Sequence, residues 1–345
     1  MEHEVKQKQD LLNDQGMIRE PGWARGPVWK YNRDKMKTPW FRKKEWDYYL
    51  IANEAFAFGF TISDLGYAGL ISVSFIDFVN KKEKTKTIME PLTRGKKYGL
   101  GTSSENGFAK VRAKQVQMYF DKSVNKRKIV CHWVNFLDGK DLDARIVIEQ
   151  RDMDSICIAT PWKEKRTAFY YNEKINCMPT QGIVTIGNTK YVMKKDTSFA
   201  VLDWGRGVWT YDNTWYWGTG SGMIEGIPFG FNLGYGFSDR SHATENVLFY
   251  QNKVHKLDAV TFVIPRDQEG NLQYTKTWKI TSSDGRFEGS FEPILDRNAD
   301  INFKLIISNQ HQVFGNMNAI VILDDGTELV VKKFICALEV VHNRY

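Results

Sequence analysis

The sequence predicts an all-β protein made of two antiparallel β-barrel or half-barrel domains packed together. Three observations carry this prediction. Asn-Gly and Asp-Gly dipeptides recur through the chain, at Asn106-Gly107, Asp138-Gly139, Asp284-Gly285 and Asp325-Gly326. Such pairs supply the positive φ angles of tight hairpin turns. Short apolar segments lie between them, with few long helical periods, and this spacing favours antiparallel barrels or sandwiches. The third is composition: 14% of the 345 residues are aromatic and 27 are glycine. Aromatic side chains suit a pleated, half-buried surface.

Taken in order, residues 1–45 read as an irregular arm. Eight basic residues and two acids lie between Trp23 and Trp46, interleaved with Trp29, Tyr31, Trp40 and Phe41. Strands are predicted at 56–62, 70–79, 111–120, 129–136 and 145–149, forming a first domain over 46–180. The loop around Cys177-Met-Pro179 marks the boundary. A second domain over 181–345 follows, with strands at 182–186, 199–203, 227–233, 247–250, 259–264, 277–281 and 303–307. It ends in the clearest hairpin, 319–323 and 328–338 about Asp325-Gly326.

Charge and cysteine usage exclude several function classes. The formal net charge is +7, and the arm's basic-aromatic mixture suits weak contact with an anionic membrane surface. Such contact would weaken as salt rises. No nucleic-acid motif of known spacing accompanies the mixture, so no nucleic acid is expected. Its plainer reading is an arm whose rings pack on the barrel while its charges stay solvated. Cys131, Cys157, Cys177 and Cys336 form no close pair, which predicts buried free thiols. The six histidines are scattered. His242 and Glu245 are three apart, a metal-ligand spacing on a helix but not on a strand, where they point to opposite faces. No metal, cofactor or nucleotide is predicted; the glycine-rich segments lack Gly-Lys-Ser/Thr. No apolar run approaches the roughly 18 residues of a membrane helix, and the polar first residues do not read as a secretory signal. A cytoplasmic location is the expectation.

The segment 202–222 holds Trp204, Trp209, Trp215 and Trp217 among closely spaced glycines, with Asp203, Arg206 and Asp212 set between them. Indole carries one N–H that needs a partner when buried, and glycine lets large rings approach the backbone. This composition points to an aromatic-lined cavity for an apolar or cationic guest. Close packing of the same rings as ordinary core is the alternative.

Several blocks resemble the bacterial family known as domain of unknown function 2804. They are Gly22-Trp-Ala-Arg-Gly-Pro27 with Arg42-Lys-Lys-Glu-Trp-Asp-Tyr48, Ile62-Ser-Asp-Leu-Gly-Tyr-Ala68, Asn176-Cys-Met-Pro-Thr-Gln-Gly182 and Leu202-Asp-Trp-Gly-Arg-Gly-Val-Trp209. Gly230-Phe-Asn232-Leu-Gly234, Thr244-Glu-Asn246 and Gln312-Val-Phe-Gly315 extend the match. More distantly, Asp203-Trp204-Gly205 followed by Trp215-Tyr-Trp217 resembles an element of tocopherol cyclases and carotenoid hydratases. That resemblance implies a lipocalin-like fold of two β domains, and chemistry on apolar isoprenoid- or polyketide-like molecules.

The expected function is therefore binding of a hydrophobic small molecule, with acid-assisted hydration, cyclisation or isomerisation as the alternative. An alkene is protonated by a carboxyl group whose pKa is raised among rings, and tryptophan faces stabilise the resulting cation. Asp203, Asp64 and Glu245 are the candidate acids. Trp204, Arg206, Trp209, Trp215, Trp217 and Asn232 are the candidate ligand-binding residues. Each acid has a structural alternative: Asp203 pairs with Arg206, Asp64 binds turn amides, and Glu245 bonds its neighbours. A two-carboxylate glycosidase using Asp203, Asp212 or Glu245 stays open, since aromatic platforms also suit sugars. No nucleophile elbow surrounds Ser221.

Overall fold

A computed structural model describes residues 2–303 and 306–344, and among these the regular structure is β, apart from the short 3-10 turns Arg33–Lys35 and Trp40–Arg42. Two curled antiparallel sheets lie against one another. The first runs Lys82–Pro91, Ala68–Asp77, Phe56–Asp64, Lys43–Ala52, Phe199–Val208, Phe169–Ile186, Lys140–Glu149, Lys126–Leu137, Val116–Ser123, Gly107–Arg112. The second runs Lys253–Lys256, Val247–Tyr250, Ile227–Tyr235, Asp212–Ile224, Glu328–Arg344, Ile306–Ile322, Phe287–Phe303, Trp278–Ser282, Val260–Val263. Alternation along each strand fills the inside of each curl with apolar side chains. A third apolar pad (Leu50, Ala57, Ile76, Phe78, Val201, Phe314 and Ala337) joins the sheets.

Turn chemistry explains the hairpins. Asp138 and Gly139 both take positive φ between adjacent strands, and Gly285 and Gly326 do so at theirs. Asn106-Gly107 differs. It opens the strand Gly107–Arg112 at one edge of the first sheet, whereas the preceding strand, Lys82–Pro91, lies at the other edge. The predicted strand 111–120 is two strands, because the chain turns between Arg112 and Val116. The predicted strand 303–307 falls partly outside the described residues. Lys82–Pro91 carries alternating charge and was hidden from an apolar pattern; it is an exposed edge strand, where lysines discourage further pairing.

The boundary expected at 180/181 does not coincide with the change of sheet. Phe169–Ile186 runs through it, and Phe199–Val208 pairs on both sides within the first sheet. The chain passes to the second sheet between Val208 and Asp212. Cys177, with φ +58, interrupts the pairing register between Ile175 and Met178. That bulge is the feature the sequence offered as a loop.

The arm is built into the first sheet. Gly22–Ala24 pairs with Ile156–Pro161, and Trp23, Trp29 and Tyr31 are buried, while Trp40 and Phe41 stay exposed. Its charges are less solvated than expected. Arg33 bonds the buried Glu45, Lys35 pairs with Asp10 at 2.7 Å, and the buried Lys44 donates to the carbonyls of Phe41 and Leu65. Burial lowers the Lys44 ammonium to about 7. No helix is long and apolar enough to cross a membrane among the described residues.

Candidate binding cleft between the two sheets

Cross-strand register assembles the site. Paired residues share a face of a sheet. In the first sheet Tyr48 lies opposite Asp203, and Asp203 opposite Lys174. In the second, Arg297 lies opposite Gln312, Gln312 opposite Glu339, and Glu339 opposite Trp217. The two rows face each other, because the Tyr48 ring meets Trp217 edge-on at 6.2 Å and its hydroxyl lies 3.5 Å from the Gln312 amide.

These contacts close into a circuit. Trp46 Nε1 donates to Asp203 at 3.1 Å, and its ring meets Trp209 at 6.2 Å. Trp209 meets Trp215 at 5.3 Å. Trp215 Nε1 donates to Glu339 at 2.9 Å, and Gln312 donates to the other Glu339 oxygen at 3.1 Å. Across the circuit, Lys174 Nζ sits 4.7 Å from the Trp217 ring centre and 2.8 Å from Asp203. Both sheets contribute, and the circuit is only partly covered: Asp203 is 15% exposed, and Trp46, Tyr48, Trp215 and Glu339 are half-buried.

The carboxyl groups occupy unlike surroundings. Asp203 Oδ1 accepts from Lys174, from Asn172 Nδ2 at 2.7 Å and from Trp46, which leaves Oδ2 outside this donor set. Burial raises the Glu339 carboxyl, and the neighbouring Asp203 adds to the rise against donation from Trp215. Glu245 lies fully buried behind Trp217 and over Gly234; burial raises it too, against Lys174 and the Tyr170 hydroxyl, which donates at 3.2 Å. Burial pushes the Tyr48 phenol to about 12. Among the buried polar atoms without a protein partner in the described residues, two belong to side chains of this circuit and its neighbours: Asn172 Oδ1 and Trp209 Nε1.

Linkage gives Glu245 a pH signature. Its native carboxyl holds a proton more tightly than the unfolded one, so native stability falls as pH rises from the unfolded value through the native one. Glu245→Gln should remove this slope, and urea unfolding from pH 4.5 upward should show wild type losing stability relative to the variant. Parallel pH profiles would mean that Glu245 is not buried as described.

The structure divides the predicted site residues. Asp203, Trp209, Trp215 and Trp217 meet in the cleft, with Asn232 and Glu245 directly behind. Asn232 accepts from Trp217 Nε1 at 2.8 Å and donates to the Glu245 carbonyl at 2.9 Å, so it sets the indole's orientation. Trp204 and Arg206 alternate to the opposite face, inside the first curl. The expected Asp203–Arg206 pair therefore does not form, and each finds another partner. Arg206 bonds Asp47 at 2.9 Å and the carbonyls of Trp46 and Gly101, with its guanidinium 4.0 Å from the Trp204 ring centre. Lys122 and Arg127 donate to the carbonyls of Ser103 and Ser104, so the loop over 99–106 closes that curl with charge. Asp64 binds the amides of Gly66 at 2.8 Å and Gly95 at 2.7 Å, the turn role weighed for it, and lies away from the cleft. Asp212 pairs with His342 and Arg344 at the surface.

Trp46, Tyr48, Asn172, Lys174, Arg297, Gln312 and Glu339 were not anticipated. Glu339 had a signal, as a single acid inside the apolar run Phe334–Val341. Lys174 had another: Glu173-Lys174 stands in an otherwise uncharged strand, and alternation sends the two to opposite faces. Arg297 had none, since charged and polar residues surround it.

Two curled sheets with polar rows set between aromatic walls define a lipocalin-like β protein of two half-barrels. The chain belongs to the family described as domain of unknown function (DUF2804), whose model matches residues 2–345. Among solved structures it is similar to an AttH-like protein from Nitrosomonas europaea, with TM-score 0.55 and 11% identity over 90% of this chain and 96% of that one. It is also similar to CghA, solved with Sch210972, with TM-score 0.51 and 10% identity over 97% of each chain. Kievitone hydratase from Nectria haematococca aligns with TM-score 0.47 and 12% identity over 98% of each chain. The first two likenesses are of fold. No curated protein matches the sequence.

Proposed function

We propose that this protein binds a hydrophobic small molecule in the cleft between its two half-barrels. The observation that carries the reading is the circuit of indole, phenol and carboxyl groups drawn from both sheets, with Asp203 at its accessible edge. Aromatic walls with a few convergent polar groups suit a mostly apolar guest with one or two polar functions. CghA was solved with Sch210972, which is in keeping with such a use of the fold.

A second reading is acid catalysis, and the contrast between the carboxyls favours it. Asp203 is engaged by Lys174 at 2.8 Å. Glu339, raised by burial, is the better donor to an alkene, with Trp215 and Trp217 beside the cation formed. Asp203 would then serve as counter-charge.

The binding reading is tested with retinol as a neutral apolar probe, followed by tryptophan quenching. Saturable quenching is expected, weakened at least tenfold in Trp215→Ala, which corresponds to about 1.4 kcal/mol. Absence of saturation, or unchanged affinity in the variant, would remove the cleft as the site. Mass spectrometry of a solvent extract of the salt-washed protein then identifies any retained compound. If that compound is converted on incubation with fresh protein, Glu339→Gln should bind it and leave it unchanged.

A further inference from the structure

Arg297 ends the polar row of the second sheet, and its guanidinium is largely unused. Its Nε donates to Gln312 Oε1 at 3.0 Å, and no ion pair and no other hydrogen bond of this side chain is found among the described residues. The residue is half-buried, and its terminal nitrogens are not among the buried atoms without a partner, so they stay accessible. The charge acts within the cleft, since it favours the ionised forms of both Tyr48 and Glu339.

The other cation of the cleft is already matched: Lys174 is held by Asp203 at 2.8 Å and lies over Trp217. The two further carboxyls, Glu339 and Glu245, are raised by burial and offer Arg297 reduced counter-charge. Neither lies within ion-pair distance of it. A half-buried guanidinium with its terminal nitrogens free is matched best by a carboxylate, which the planar fork binds through two parallel N–H···O bonds. We propose that the ligand of this cleft is an apolar molecule bearing a carboxylate, with its hydrocarbon or ring body against Trp215 and Trp217 and its acid group on Arg297. This rests on the binding reading above and adds the ligand's charge class.

Retinoic acid and retinol share one apolar body and differ at the end group, so their affinities, measured by tryptophan quenching, separate the two ideas. Retinoic acid is expected to bind wild type at least tenfold more tightly than retinol. Arg297→Gln should abolish that preference, bringing retinoic acid affinity to within about twofold of that for retinol in the same variant, with a cooperative urea transition showing that it folds; Arg297→Lys should keep part of the preference. Equal affinities in wild type, or a preference that survives Arg297→Gln, would overturn the carboxylate proposal and leave the cleft intact. Failure of both probes to bind would overturn the cleft reading and this proposal with it.

Discussion

Arg206→Met is expected to lower the free energy of unfolding by about 3–5 kcal/mol, the cost of removing one partner from a buried ion network. The Arg206 side chain is fully buried and donates to Asp47 and to the carbonyls of Trp46, Gly205 and Gly101. Burial alone would raise the Asp47 carboxyl; Lys122 and Arg206 together hold it below its usual range. Methionine fills a similar volume yet leaves Asp47 with Lys122 alone and the carbonyls without their donor. Adding Asp47→Asn to the variant should recover part of the loss, because the uncompensated charge is gone. Urea unfolding measures both. A loss below about 1 kcal/mol, the range of an exposed pair, would mean that the network is solvated.

Gly205→Ala is expected to cost about 1–3 kcal/mol through overpacking and to weaken retinol binding in the same protein. A methyl group at this position would stand 2.0 Å from Cζ2 and 2.2 Å from Cε2 of Trp46. An indole is rigid, so the ring must move as a body. Moving it disturbs both its N–H bond to Asp203 and its contact with Trp209. Gly26→Ala is the control, since nothing lies near the added methyl there and the change should stay within about 0.5 kcal/mol. Unfolding and quenching curves of Gly205→Ala that superimpose on wild type would contradict the packing of Trp46 over Gly205.

The sequence showed the fold class, and of the side chains that meet between the sheets it singled out the tryptophans and passed over most of the charged ones. The turn dipeptides and short apolar segments led to antiparallel sheets because both signals are local. Trp209, Trp215 and Trp217 were singled out because they cluster within a few residues. Asp203 was found with them, but its partner was assigned to Arg206 by nearness in sequence, although on a strand those two residues point apart. The true partner, Lys174, is a cross-strand neighbour. Arg297, Gln312 and Glu339 form a row only once three strands are in register. Register is a property of pairing, and local composition does not reveal it. The expected division at 180/181 and the change of sheet differ for a related reason: Cys177-Met-Pro179 looks like a loop in sequence but is a bulge within one long strand.

The pairing of Lys43–Ala52 with Phe199–Val208 has a consequence for how the protein matures. Tyr48 cannot meet Asp203 until the long stretch between those strands has been gathered in, and contacts so distant along the chain are slow to form. The opposite wall needs Trp217, Arg297, Gln312 and Glu339, spread over the second sheet. Neither sheet alone carries the cleft. A chain halted partway would have strands, buried rings and a circular dichroism spectrum of β type, yet lack the arrangement to which we assign binding. Acquisition of probe binding during refolding is therefore a clock for the final docking step, and it should lag behind every spectroscopic sign of sheet formation.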